Sequence, residues 1–143
     1  MKSNFFEKNV LITGGLGFVG SNLAINLVDQ GAIVTILDSL AMEFGGNLFN
    51  IDSVKDKVSV NISDMRDSQS LNALVREKDF IFHLAAQSLV GNSFDNPSGT
   101  MTTNIIGVNN ILDAVRVVGK KCTAVIITSD KCYDNLELER GYH

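Results

Sequence analysis

The sequence predicts an α/β fold, with an open parallel sheet wound by helices on both faces. Three observations carry that expectation. Short apolar runs recur at residues 9–13, 32–37, 58–62, 80–84 and 123–128, and runs without polar alternation suit strands covered on both faces. Stretches with helical apolar spacing lie between most of them. A glycine cluster, Gly14-Gly15-Leu16-Gly17-Phe18-Val19-Gly20, follows the first run and opens the first helix.

Taken in order, Asn9 to Thr13 reads as a short buried strand. Residues 17–30 follow as a helix, with Phe18, Val19, Leu23, Ile25, Leu27 and Val28 as its apolar stripe and Gly31 at its C-terminal cap. A β-branched strand over 32–37 ends at Asp38, and a third strand spans 58–62. Asp67 and Ser68 cap a helix over roughly 68–78, its inner face carrying Leu71, Leu74 and Val75. Residues 80–84 form a fourth strand. A long helix over 98–118 carries the stripe Ile105, Ile106, Val108, Ile111, Leu112, Val115 and Val118. Lys120 and Lys121 sit at its C-terminal end, where the helix dipole favours cations. A fifth strand spans 123–128, and 39–57, 86–98 and 129–143 read as irregular. Right-handed crossovers then give the strand order 3-2-1-4-5, a Rossmann-type doubly wound parallel sheet truncated after its fifth strand.

A chain of 143 residues makes one domain, here taken as 1–143. The formal net charge of -4 and the lack of a basic tract argue against nucleic acid as a partner. No apolar run approaches the roughly 20 residues of a membrane span, and the N-terminus lacks the apolar core of a signal peptide. Cys122 and Cys132, ten residues apart, suggest neither a disulfide framework nor a metal site. A reducing, cytoplasmic setting is expected.

The glycine cluster has the chemistry of a phosphate cradle. Gly15, Gly17 and Gly20 give the GxGxxG spacing, and Thr13, Gly14, Gly17 and Gly20 its TGxxGxxG variant. Glycine lets the backbone turn tightly and approach an anion, while the helix start offers free amides and a positive dipole end. Asp38, 18 residues after Gly20, is placed to accept hydrogen bonds from ribose hydroxyls. It would also repel a 2'-phosphate, and residues 39–44 offer no Arg or Lys to offset that. NAD is therefore expected over NADP. A bare tight turn and a plain strand end would account for the same residues without a ligand, but their place between strand and helix favours a cofactor site.

With these motifs the sequence resembles the extended short-chain dehydrogenase/reductase family of sugar-nucleotide epimerases and dehydratases. Thr13 to Gly20 is similar to its cofactor loop, so the resemblance puts Gly14, Gly17, Phe18, Val19 and Gly20 at the dinucleotide, with Asp38 and Ser39 beyond. Ser63-Asp64-Met65-Arg66-Asp67 is similar to the family's Gly-Asp-Ile-Arg-Asp, which gives Asp64 a contact to adenine and puts Met65 in the adenine pocket. His83-Leu84-Ala85-Ala86-Gln87 resembles the segment that passes beneath the nicotinamide ribose; His83 itself reads as a core histidine. Pro97, Thr100, Asn104, Gly107 and Asn109 match the next helix, and the family's Asn at 104 is structural and near the active site. Thr128 would close the cofactor set.

Ser129-Asp130-Lys131, followed by Cys-Tyr-Asp-Asn, resembles the dehydratases acting on CDP-glucose. In such enzymes a hydride leaves hexose C4, water is lost across C5–C6, and the hydride returns to C6. The resemblance makes Ser129 a hydrogen-bond partner of the C4 oxygen and Asp130 the general acid at C6. Lys131 stands where a Glu base is usual, as a base if its pKa is lowered and otherwise as an electrostatic stabiliser. The family's Tyr-x-x-x-Lys pair is not found: Glu137 lies four residues after Tyr133, and Tyr142 is the penultimate residue. The expected role is the NAD-binding portion of a nucleotide-sugar 4,6-dehydratase, without turnover alone. An epimerase or reductase of the same family, or a non-catalytic NAD-binding module, are the alternatives. Self-association, as the homodimers of this family achieve through the 98–118 helix, is also expected.

Overall fold

In a computed structural model, the described residues are 3–118, 121–134, 136–137 and 139–140. Five parallel strands form one sheet in the order β3-β2-β1-β4-β5: β1 (Asn9–Thr13), β2 (Ile33–Asp38), β3 (Val58–Ile62), β4 (Phe80–His83) and β5 (Thr123–Ile126). β1 lies at the centre, pairing Val10 with Val34 on one side and with Phe80 on the other. The twofold alternation of a strand sends successive side chains to opposite faces. Val10 and Ile12 pack into one apolar layer with Val34 and Ile36, and Leu11 packs into the other with Leu37 and Ile81.

Helices cover both layers. α1 (Phe18–Asp29) places Ala24 and Leu27 in the first layer, beside Ile51 and Val54. α2 (Ser68–Val75) and α5 (Gly107–Val118) close the second with Leu71, Val75, Ile111 and Ala114. Gly31 adopts φ 83, the left-handed turn that ends a helix, and its amide donates to Val28 O. Asp67 caps α2 by accepting from Gln69 N.

The structure departs from the sequence expectations at several places. The fifth strand ends at Ile126 rather than 128, and the helix over 68–78 ends at Val75. Residues 39–57 are not irregular: two 3₁₀ segments, Met42–Phe44 and Leu48–Lys57, occupy them, and the second buries Ile51 and Val54 at the three-residue period of that helix. Within 86–98 lies a short α3 (Val90–Asp95). The long helix is α4 (Pro97–Met101), a π turn (Thr102–Ile106) and α5, started by the Asn96 cap and Pro97. β3 is an edge strand, exposed at Ser59, Val60 and Ile62, and so is not covered on both faces.

The helix stripes also shift. Phe18 and Val19 are 83% and 63% exposed, because α1 turns the row Gly20, Ser21, Ala24 and Leu27 inward. Ile105, Ile106 and Leu112 are likewise half exposed, while Ile111 and Ala114 face the sheet. Lys120 lies outside the described residues.

Candidate functional site

A groove of about 530 Å³ opens at the C-terminal edge of the sheet. It lies where the chain leaves β1 for one side and β4 for the other, the switch point at which doubly wound sheets take ligands. Backbone hydrogen bonds carry the strand ladder past the strand ends and deliver the walls. Gly14 N donates to Leu37 O, Ser63 N to Asp38 O, and Leu84 N to Thr13 O. The groove is lined by Gly14, Gly17, Phe18, Val19 and Gly20 from the loop, and by Asp38 and Ser39 after β2. Asp64 and Met65 after β3 and Leu84 to Gln87 after β4 complete this set of expected residues.

The glycines do different work. Gly14 has φ +68, and a Cβ there would lie 2.8 Å from Ala85 N. A Cβ on Gly20 would lie 2.2 Å from Gly14 O, so only glycine lets α1 pack onto its own loop. Gly17 is open, with only Gly14 O at 3.4 Å. Among the described residues no side chain caps α1, so its first amides remain available to an anion.

Asp38 is 9% exposed. Its Oδ2 accepts from Leu16 N and its Oδ1 from Leu40 N, each at 2.9 Å. One carboxylate thereby ties the glycine loop to the segment after β2. Leu16 O in turn accepts from Asn47 N and from Asn50 Nδ2 at 2.7 Å, clamping residues 45–50 over the loop. Asp64 is pinned by Arg66, whose Nε and Nη2 both donate to it. That hydrogen bonding, against a smaller opposing effect of burial, holds the Asp64 carboxyl below the usual carboxylate range. Met65 is 5% exposed and packs into the notch left by Gly107. Asn110 Nδ2 donates to the carbonyls of Met65 and Arg66, docking this wall on α5.

His83 is buried with Nδ1 2.7 Å from Thr13 Oγ1, which also accepts from Ala85 N. Its Nε2 has no partner among the described residues. Desolvation pushes its pKa down to about 4, so it stays neutral at pH 7, as befits a core position.

Not every expected residue reaches the groove. Asn104 stands behind it: its side-chain amide donates to Gln87 O and accepts from Gln87 N, at 2.9 and 2.8 Å. Thr128, Ser129 and Asp130 are exposed and absent from the lining. Ile127 N donates to His83 O, which puts them at the same sheet edge, beyond β4. Ser129 Oγ donates to Asp130 Oδ1 at 3.3 Å, and Asp130 opens a 3₁₀ turn. The side chain of Lys131 lies outside what is described.

Ala41, Phe44, Gly46, Arg66 and Thr103 also line the groove without having been expected there. Arg66 was within reach of the sequence, two residues after Asp64. Phe44 and Gly46 were not, because 39–57 carries no regular apolar period.

The glycine cradle, the acidic residue after β2 and the small-residue wall at Ala85 and Ala86 suit a dinucleotide in size and in donor set. Comparisons with known proteins agree. The chain is 40% identical to CDP-glucose 4,6-dehydratase of Salmonella typhimurium over 97% of its own length and 39% of the relative's. It is 36% identical to dTDP-glucose 4,6-dehydratase of Mycobacterium tuberculosis, over 91% of the chain and 39% of the relative. Among solved structures, epimerase Mth375 of Methanothermobacter thermautotrophicus matches with a TM-score of 0.84 and 32% identity, over 97% of this chain and 40% of that one. UDP-glucose-4-epimerase of Stenotrophomonas maltophila, solved with bound NAD, matches at 0.83 and 29%, over 93% and 40%. The chain thus spans about two fifths of the relatives it matches. A family model described as GDP-mannose 4,6 dehydratase matches residues 11–140, and with that coverage this chain belongs to that family.

Proposed function

We propose that this chain is the NAD-binding portion of a nucleotide-sugar 4,6-dehydratase, with CDP-glucose as the substrate of the whole enzyme. The groove carries the reading, since it joins the open Gly17, the held Asp38 and the pinned Asp64 in one lining. NAD, when bound, supplies reversible hydride transfer at the sugar. The chain's own residues bind and orient it. The α1 amides and Gly17 receive the pyrophosphate. Asp38 keeps acceptor capacity on both oxygens for ribose hydroxyls, and its charge disfavours a 2'-phosphate. Asp64 and Met65 receive the adenine, and Ala85 and Ala86 allow close approach of the nicotinamide ribose.

Ser129, Asp130 and Lys131 are assigned to the sugar: Ser129 to the C4 oxygen, Asp130 to protonation of the C6 leaving group, and Lys131 to the developing charge at C5. Because Asp130 is acidic, a dehydratase is favoured over an epimerase; the epimerase reading draws on the fold neighbours. Among the described residues no helix is long and apolar enough to cross a membrane, and a cytoplasmic homodimer is the proposed working state.

Calorimetric titration with NAD tests the cofactor site. Binding by the wild type and its loss in Gly17→Val are expected; equal affinity in both would sink the assignment. The 143-residue chain is expected to give no 4-keto sugar from CDP-glucose and NAD, and detection of that product would refute this.

A further inference from the structure

Among the described residues two carboxylates line the groove, and they are held differently. Asp38 is nearly buried, with a backbone amide on each oxygen. The Asp64 side chain is 37% exposed and paired to the half-exposed guanidinium of Arg66. Its Oδ1 accepts both Arg66 N, at 2.8 Å, and Arg66 Nε, at 2.9 Å. Its Oδ2 accepts from Nε at 2.9 Å and from Nη2. Carboxylate oxygens together offer about four acceptor positions. The single Nε–H is shared between the two oxygens, so three N–H groups of Arg66 fill about three of these positions, Oδ1 and the edge shared by the oxygens, and leave Oδ2 one further position. Ala41, Phe44 and Met65 give the same groove apolar lining, suited to a flat heteroaromatic base.

Bases differ in what they ask of a carboxylate. Adenine presents one exocyclic amine, beside ring acceptors. Guanine presents adjacent N1–H and N2–H donors, which match the two oxygens of a free carboxylate as a fork. We infer that Arg66 is the residue that sets base selectivity in this groove, by spending the shared edge of Asp64 so that a single-donor base fits and a two-donor base does not. Arg66 acts through Asp64 and is a positioning residue. The guanidinium also keeps the carboxylate ionised and so an acceptor only. Specificity of this kind comes from removing the contact a competitor needs as well as from favouring the intended partner.

The inference rests on the NAD reading above, and its test separates the two. Nicotinamide adenine dinucleotide and nicotinamide guanine dinucleotide are titrated into wild type, Arg66→Met and Arg66→Lys, each variant checked by thermal melting. Wild type is expected to prefer the adenine form about tenfold, the worth of one good hydrogen bond. Arg66→Met, which frees the shared edge, should bring that ratio to about one or reverse it. Arg66→Lys keeps the charge without the planar fork and should give an intermediate ratio. NAD binding by wild type with the same ratio in both variants overturns the inference alone. A parallel loss of both ligands in the variants also overturns it, since Arg66 would then only support the loop. If wild type binds neither dinucleotide, the cofactor reading falls and takes the inference with it.

Discussion

Gly17 and Gly20 stand three residues apart and meet different demands. A Cβ at Gly20 meets backbone at 2.2 Å, whereas one at Gly17 meets open groove. Gly20→Ala is therefore expected to cost about 1–3 kcal/mol of stability through overpacking, seen as a lower urea midpoint. Gly17→Ala should leave that midpoint close to wild type while weakening NAD, and matched losses in both variants would contradict the division. His83 makes a second prediction. Burial depresses its pKa from 6.5 to about 4, so the unfolded chain takes up a proton that the folded chain refuses. Stability is unaffected above pH 6.5 and falls as pH drops toward 4. Between pH 7 and 5 the loss is about 2 kcal/mol, outside the range where Asp64 titrates. Denaturant unfolding should show it in wild type and not in His83→Gln. The paired role of Thr13 and His83 was not legible, because it needs the register of β1 against β4, which joins residues seventy apart.

At the scale of elements, the turn between α4 and α5 sets the groove wall. Its π geometry places Thr103 on the lining and Asn104 on both backbone atoms of Gln87. π turns gather at functional sites because the extra residue re-aims its neighbours. Asn104→Ala removes two hydrogen bonds and should cost about 1–2 kcal/mol, together with a severalfold loss of NAD affinity as the wall loosens. Titration and melting on the same sample check this, and unchanged affinity would detach Asn104 from the site. The resemblance puts Asn104 in the cofactor set, but the structure sets it behind the groove on Gln87; the π turn was not legible, since one inserted residue barely disturbs a helical stripe. The 3₁₀ segment over 48–57 escaped for a related reason: its core contribution is two residues, Ile51 and Val54, among Asn47, Asp52 and Lys55.

For the molecule as a whole, strand order was legible because buried parallel strands and connecting helices leave few topologies open. Among the elements that broke the pattern, β3 is an edge strand with one-sided burial, and the first turn of α1 turns Phe18 and Val19 out to the groove. The same reasoning bears on assembly. Ile105, Ile106, Leu112 and Val117 are about half exposed on one stretch of helix, apolar surface that a second copy would cover. Self-association at micromolar concentration is expected, reduced by Leu112→Glu. Sedimentation showing only monomer in wild type would contradict it.

The groove is built from segments that are far apart in the chain and meet through β1, the strand that pairs with both β2 and β4, and through the docking of Met65 and Arg66 on α5. No isolated hairpin or helix pair contains it. A ligand held there is thus a fastener across the entire sheet, because partial unfolding of either half destroys its seat. At a hundredfold excess over its dissociation constant, NAD would add about 2.7 kcal/mol to folding. Resistance to proteases should then rise together at sites on both sides of the sheet, and cleavage in α2 would report cofactor occupancy as faithfully as cleavage beside the glycine loop.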